Sequence, residues 1–200
     1  MALLSEFENN ALFALEFNGT ALSSVANFFV ALYIASKGPW TASTAYSVGD
    51  TIIPSAAGNN HIYKCTTAGT SGSTAPTFPT SDGGTVTDGT TLVWTEQTPS
   101  IRAGTINEAS GGGYARQAVP NTTAGWTIST TANNAKQSAN AALISFGALT
   151  ANLGWVAAVV LFDASTAGNL RYIAEQMTPQ NVVSGNTLEF NAGALVFTGN

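Results

Sequence analysis

The sequence predicts a mainly β protein: a β-sandwich with one short N-terminal helix and one small all-β module inserted into it. The first observation is the run 155–162, which is almost entirely apolar and rich in Val, as expected of a strand buried on both faces. The second is the turn chemistry of residues 163–169 followed by alternating polarity over 170–174, which together indicate a β-hairpin. The third is a change of composition at residue 39. We expect the hairpin to lie at the centre of the sandwich.

The N-terminal segment carries the signals of a helix. Ser5 and Glu8 have the spacing of a capping box just ahead of an apolar periodic run, and Gly19 is a typical C-terminal stop. The predicted helix covers residues 5–17. Its apolar face is expected to pack on the sheet, and the alternative is a helix that binds a membrane or a partner.

Short strands are predicted across the remaining chain, from β-branched and aromatic runs bounded by turn residues. Residues 132–139 are polar and rich in Asn, so a loop is expected there. The other predicted strands cover residues 28–35, 51–53, 61–66, 91–95, 114–119, 126–128, 141–146, 177–183, 187–190 and 194–198.

Residues 39–99 form the predicted inserted module. Thr, Ser, Gly and Pro dominate this segment, aromatic residues recur at intervals, and Pro39 and Pro99 bracket it. A chain that enters and leaves a module at neighbouring points is the usual geometry of a tolerated insertion. Residues 1–38 and 100–200 are then the two parts of a discontinuous β-sandwich domain.

The charge content is unusually low. Only 8% of the residues are Asp, Glu, Lys or Arg, against about 25% in a typical soluble domain. The surface must therefore consist of Thr, Ser, Asn, Gly and Ala, as is common in proteins that are packed into an assembly. Little self-repulsion opposes association of such a chain. The six Lys and Arg residues are scattered and the net charge is −5, so nucleic-acid binding is not expected.

Compartment signals are few. Cys65 is the only cysteine, so no intramolecular disulfide is expected. The N-terminus lacks a basic region and a long apolar region, which argues against a signal peptide. The longest apolar runs are far shorter than the roughly 20 residues that a membrane-spanning helix needs, so no membrane contact is predicted.

Most catalytic arrangements are disfavoured. His61 is the only histidine, no nucleophile motif surrounds it, and we expect it on the surface. One His and one Cys supply no metal cluster without scattered carboxylates. The glycines at 111–113 lack the Lys-Ser/Thr of a phosphate loop and precede a strand, so a flexible turn is expected there. No spacing brings together the two carboxylates of a glycosidase. We predict no catalytic residue, no metal site and no cofactor.

The aromatic residues of the module are the candidate binding residues. Trp and Tyr rings stack on sugar rings and need no charge to do so. The candidate carbohydrate-binding residues are Trp40, Tyr46, Tyr63 and Trp94. The same rings are the alternative source of a core, because a module of about sixty residues has little area from which to build one.

Three motifs resemble a known family. They are SGGGYARQAV at 110–119, LGWVAAVVLFDASTAGNLRYIA at 153–174 and VVSGNTLEFNAGALVFT at 182–198. In this content and order they are similar to small tailed-phage virion proteins of the tail-fibre or minor structural protein family. The departures are Asn186 where that family has Asp, and Ala167-Gly168 where it has Gly-Gly. The resemblance implies a jelly-roll-like β-sandwich located in a virion.

A second resemblance covers residues 39–96. Trp40, the run 46–50 (YSVGD), the run 63–65 (YKC), the run 68–79 (AGTSGSTAPTFP) and Val93-Trp94 are similar to small chitin/cellulose-binding-type modules found in phage tail proteins and bacterial glycosidases. By motif match, this resemblance implies that Trp40 and Tyr63 contact a sugar.

Together these observations predict a non-enzymatic phage virion structural protein, specifically a capsid decoration or cement protein on the particle surface. The alternative is a tail-fibre or baseplate component that binds host surface glycans through the inserted module, and a third hypothesis is an accessory to a polysaccharide-degrading enzyme. The expected partners are other virion proteins (major capsid or tail proteins), two further copies in a homotrimer, and a host surface glycan. We expect assembly in the host cytoplasm.

Overall fold

Strands dominate the computed structural model, which describes residues 3–19, 21, 24–54, 59–105, 107–131 and 136–198. The mainly β prediction with a short N-terminal helix is confirmed. In chain order the elements are β1 (Leu3–Leu4), α1 (Glu6–Asn18), β2 (Asn27–Ala35), β3 (Gly38–Pro39), β4 (Ala45–Tyr46), β5 (Thr51–Ile53), β6 (Tyr63–Thr67), β7 (Gly69–Thr70), β8 (Thr85–Asp88), β9 (Leu92–Glu96), α2 (Thr98–Arg102), β10 (Gln117–Pro120), β11 (Trp126–Thr130), β12 (Lys136–Asn140), β13 (Ile144–Ala148), β14 (Gly154–Phe162), β15 (Leu170–Val182), β16 (Thr187–Phe190) and β17 (Val196–Thr198).

The main sheet is antiparallel, with the strand order β1-β15-β14-β2-β10. Strand β14 lies in its middle and pairs along its length with both β2 and β15. The hairpin predicted at the centre of the sandwich is therefore present, with its turn at 163–169.

One face of the main sheet carries the first hydrophobic core. Val30 and Leu32 of β2 and Val159 and Leu161 of β14 lie on this face. A second layer covers them, made of the three-stranded sheet β11-β12-β17 and the strand pair β13-β16. Its apolar contributions include Trp126, Ile144, Phe146, Leu188, Phe190 and Phe197. These two layers form the β-sandwich.

The opposite face of the main sheet carries a second core. Alternation along β2 and β14 places Tyr33, Val160 and Phe162 on this face. A β-bulge in β14 shifts its register near Ala157, and both Ala157 and Ala158 join this second core. The side chains that cover it include Ile53 of β5, Ile62 and Ile101 of α2. This is why the run 155–162 shows no polar alternation.

Residues 38–96 build the small sheet, with the strand order β3-β5-β6-β9-β8, and the strand pair β4-β7 beside it. A third core fills it, formed by Tyr46, Ile52, Tyr63, Cys65, Phe78, Leu92 and Trp94. The chain enters at Gly38, where the backbone φ is +69° and a side chain would overlap the Trp155 ring. The boundaries 39–99 of an inserted module remain a prediction, as does its independence as a domain.

Helix α1 begins and ends as predicted, within one residue. The Ser5 hydroxyl accepts a hydrogen bond from the Glu8 backbone N–H at 3.1 Å, and Gly19 closes the helix in the left-handed conformation. The predicted apolar packing is only partly present, because Leu12 and Leu15 are each 41% exposed. The helix is held mainly at its first turn, where Glu8 pairs with Arg171 of β15.

Several elements differ from the sequence prediction. The short strands β1, β3, β4, β7 and β8 were not predicted, and the two strands predicted at 170–174 and 177–183 are the single strand β15. Strand β12 covers the second half of the predicted loop 132–139, of which residues 132–135 lie outside the described part. It forms because β11 and β17 pair with its backbone on both sides, although its side chains are largely polar. Helix α2 was not anticipated. It turns the chain from the small sheet to the main sheet and buries Ile101 between them.

The motif at 110–119 connects β2, Glu108 and the turn of the central hairpin. Gly111, Gly112 and Gly113 all have positive φ, and the turn that they form leads to Tyr114. The Tyr114 hydroxyl accepts a hydrogen bond from the Leu32 N–H and donates one to Glu108, each at 3.0 Å. Burial raises the pKa of this hydroxyl, so it remains a donor across the usual pH range.

Arg116, from the same motif, fastens the turn of the central hairpin. Its guanidinium group makes a bidentate pair with Glu108 at 2.9 and 2.7 Å. It also donates to the carbonyls of Ala164 and Ala167 at 2.8 and 2.7 Å, and it lies 3.6 Å from the Phe162 ring centroid. Only a planar group with several donors makes all of these contacts at once.

Arg116→Lys is expected to lower the free energy of unfolding by about 2 kcal/mol, because a Lys ammonium loses the bidentate pair and the stacking. Chemical denaturation measures this change. The matched control is Arg102→Lys, since Arg102 pairs with Asp82 near solvent, where a pair contributes about 0–1 kcal/mol. Equal losses for both variants would contradict the structural role given to Arg116.

Candidate functional site

The aromatic cluster of the small sheet is organised by the carboxylate of Asp88. This side chain ends β8 and its residue is 2% exposed. Its Oδ2 accepts hydrogen bonds from the indole N–H of Trp40 at 2.7 Å and of Trp94 at 3.0 Å. Its Oδ1 accepts from the Gly72 backbone N–H at 2.8 Å. Three neutral donors therefore hold one buried charge and fix two indole rings.

Trp94 and Tyr46 belong to the core of the small sheet. Trp94 lies on the inner face of β9 and is fully buried, and Tyr46 packs edge-on against it with ring centroids 4.8 Å apart. The Tyr46 hydroxyl accepts from the Thr41 N–H at 3.0 Å. Neither ring presents a face to solvent on which a sugar could stack.

Tyr63 is also a core residue and is fully buried. Its ring lies 4.7 Å from Phe78, and its hydroxyl donates to the Pro79 carbonyl at 2.6 Å. Asn59 donates to the same hydroxyl at 3.1 Å. These contacts hold Asn59 and the segment Phe78-Pro79 against β6.

Trp40 is the one of the four candidates that keeps part of its surface accessible. It is half-buried, packs against the edge of the small core, and is oriented by its hydrogen bond to Asp88. Of the two alternatives for these aromatics, core and sugar contact, the burial of the other three rings supports the core. Sugar binding stays a prediction, and Trp40 is the residue with the geometry to serve it.

His61 was expected on the surface, and its side chain is instead only 21% exposed. Its Nδ1 lies 2.8 Å from the buried Glu96 carboxylate, which also accepts from the backbone N–H groups of Gly83 and Thr98 at 2.9 and 2.8 Å. Thr98 additionally donates its hydroxyl to Glu96. The Thr98 hydroxyl lies near His61 Nδ1, the same ring nitrogen that faces Glu96. In a catalytic arrangement, one histidine nitrogen faces the carboxylate and the other activates the hydroxyl, so His61, Glu96 and Thr98 do not have that arrangement. The hydrogen bonds between Thr98 and Glu96 tie α2 to the small sheet.

The Cys65 thiol is buried in the core of the small sheet. Burial, and then the nearby Asp50 carboxylate, raise the pKa of the Cys65 thiol, which donates to the Thr67 carbonyl. Across the residues that the structure describes, His, Cys, Asp and Glu side chains nowhere gather in a group of three or more that could hold a metal ion. In the same residues, the helices are too short or too polar to cross a membrane.

The protein is a β protein with few charges, and the polar contacts described above stabilise its own fold. These are features of a structural component of an assembly. Comparison with known families agrees. The family described as "Podophage GP4 fiber I protein gp80" matches residues 88–198. This is more than half of the chain, and the chain therefore belongs to that family of phage fibre proteins. No curated protein matches it.

The family match bears on several of the predictions. It supports a bacteriophage structural protein of the tail-fibre type located in the virion, and it agrees with the tail-fibre alternative better than with capsid decoration. A structural fibre family also favours a non-enzymatic role. The match begins at Asp88 and leaves out most of the small sheet, so the resemblance of residues 39–96 to chitin/cellulose-binding modules stays a prediction.

Asp88→Asn is expected to lower the free energy of unfolding by about 2–3 kcal/mol. The amide offers one acceptor oxygen, and its NH₂ group faces an N–H donor that the carboxylate satisfied. Tryptophan fluorescence during denaturation reports the loss at the indole rings. Asp82→Asn is the control, because Asp82 is about half exposed. An unchanged midpoint for Asp88→Asn would show that the carboxylate does not organise the cluster.

Proposed function

We propose that this protein is a non-enzymatic structural subunit of a podophage tail fibre. The observation that carries the proposal is the family match over residues 88–198. The low charge supports it, because a neutral surface docks onto neighbouring subunits with little desolvation of charge. Its partners are other tail proteins, and capsid decoration is the competing location.

Labelling of intact virions tests this location. Gold-coupled antibodies raised against the purified chain are expected to mark the tail fibres in electron micrographs, and averaged particle images should show the sandwich there. A regular lattice of label over the head would support a capsid decoration protein and contradict the proposal. Absence of label on intact and on disrupted particles would remove the virion assignment altogether.

The small sheet supports a second candidate function, contact with a host surface glycan. The supporting observation is Trp40, whose accessible ring is held in one orientation by Asp88. A ring that is fixed before binding loses little conformational freedom when a sugar stacks on it. An aromatic face with no charge suits neutral saccharides.

Binding to host cells and to immobilised chitin, cellulose and host polysaccharide tests this second function. The wild type is expected to bind at least one of these, Trp40→Ala to bind at least about tenfold more weakly, and Trp40→Phe to lie between them. Val48→Ala is the matched control, because Val48 is an exposed apolar residue of the same sheet region at 66% exposure. No binding by the wild type, or equal binding by all variants, would contradict glycan contact through Trp40.

A further inference from the structure

A pocket of about 200 Å³ lies where α1, α2 and the turn of the central hairpin meet. Its apolar walls include Phe7 in the first turn of α1, Phe162 at the end of β14 and Leu170 at the start of β15. Its polar walls include Arg102 at the end of α2 and Asn169 in the hairpin turn. Drug-sized ligands need pockets of about 300–1,000 Å³, so this pocket suits a smaller ligand or the end of a larger one.

Arg102 contributes a hydrogen-bond donor that has no acceptor. Its Nη1 donates to Asp82 at 2.8 Å, whereas its Nε is buried and has no partner among the residues that the structure describes. A buried N–H without an acceptor is unfavourable, and a ligand oxygen bound to it removes that cost. The wall of the pocket therefore calls for an acceptor.

The charges around the pocket favour a neutral acceptor. Arg102 is already paired with Asp82. The neighbouring Arg171 pairs with Glu8 and lies 3.6 Å from Asp163. Two cations and three carboxylates leave a formal negative charge, and a carboxylate or phosphate ligand would add another. The oxygen that Arg102 binds is therefore one of a neutral group.

Asn169 contributes the complementary acceptor. Its Nδ2 donates to Asp163 Oδ2 at 2.9 Å, and its backbone N–H donates to Asp163 Oδ1 at 2.6 Å. Because a carboxylate only accepts hydrogen bonds, this pairing fixes the orientation of the amide and leaves Asn169 Oδ1 as an acceptor. The residue is exposed at the pocket, so this oxygen is available to an N–H group of a ligand.

A donor, an acceptor and an apolar wall match the three parts of an acetamido group. Its carbonyl accepts a hydrogen bond, its N–H donates one, and its methyl group is apolar. We propose that this pocket binds the acetamido group of an N-acetylated amino sugar. Arg102 Nε donates to the carbonyl, Asn169 Oδ1 accepts from the N–H, and Phe7 and Leu170 contact the methyl group and the sugar ring.

The size of the pocket favours this ligand over a peptide. An acetamido group hangs from the sugar ring and enters a small pocket without the rest of a saccharide chain. A peptide amide lies within the main chain and would bring both flanking residues with it. Trp40 is absent from the described residues that line the pocket, so the proposal rests neither on sugar contact there nor on the place of the protein in the virion.

Titration calorimetry and saturation-transfer NMR of the purified full chain test the proposal. The probes are N-acetylglucosamine and N-acetylgalactosamine, and glucose is the matched sugar without the acetamido group. The wild type is expected to bind at least one N-acetylated sugar, and to bind glucose at least about tenfold more weakly, because glucose leaves the buried Arg102 Nε unpaired. Acetate should not displace the bound sugar.

Arg102→Gln is expected to weaken binding of the N-acetylated sugar at least about tenfold. The melting temperature should hardly change, since the pair with Asp82 lies near solvent. Lys64→Gln is the matched control, because it removes the same charge from an exposed residue of the small sheet, and it should bind like the wild type.

Thiol protection locates the site directly. Cys65 is buried, so Ala103→Cys adds one accessible thiol beside the pocket. Its alkylation should slow when N-acetylglucosamine is present. Val48→Cys, at a residue that is 66% exposed and does not line the pocket, should react at the same rate with and without the sugar.

Trp40→Ala separates this site from glycan contact in the small sheet. Binding that survives Trp40→Ala and is lost in Arg102→Gln supports the pocket. Binding that is lost in Trp40→Ala and survives Arg102→Gln would overturn the pocket and assign the sugar to Trp40. A wild type that binds neither N-acetylated sugar, equal binding of glucose, or displacement by acetate would also overturn the proposal.

Discussion

The fold depends on strand β14 having apolar side chains on both of its faces. Val159 and Leu161 face one core, and Val160 and Phe162 face the other. Burial of each such side chain contributes roughly 1.5–3 kcal/mol, so both faces must be covered for the strand to be stable. Strands β11, β13, β16 and β17 cover the first face, and β5 with α2 covers the second. The small sheet is therefore part of the packing of the main sheet.

Because β14 is covered on both faces, the position of the turn that follows it is also constrained. A hairpin in the middle of three layers ends in a turn that must be held in place, and Arg116 holds it through the carbonyls of Ala164 and Ala167. Glu108 holds Arg116 in turn, and Tyr114 bonds to Glu108 and to the backbone of β2. The motifs at 110–119 and 153–174 thus meet at one side chain, Arg116. The residues that carry the resemblance to phage virion proteins therefore include ones that hold the sandwich together.

Elements with a strong local signal could be predicted from the sequence. The hairpin has its apolar run and turn, and α1 has Ser5 and Gly19 at its ends. Strand β12 could not be predicted, because backbone pairing with its neighbours stabilises it and its side chains carry no periodic signal. Helix α2 is only five residues long and lacks a side-chain cap at Gln97. For the aromatic cluster the sequence favoured a core role for Trp40 and Trp94 and left core and sugar contact open for Tyr46 and Tyr63. It could not show how the rings are oriented, since Asp88, which bonds to Trp40 and Trp94, is distant from Trp40 in the chain.

Several of the few charges of the chain are used inside it. Arg116 and Arg171 are buried in ion pairs, and Asp88 and Glu96 are buried among hydrogen-bond donors. The exposed surface therefore carries few charges, as the composition indicates. Charge repulsion then does little to keep copies or neighbouring subunits apart, and association needs little desolvation of ions.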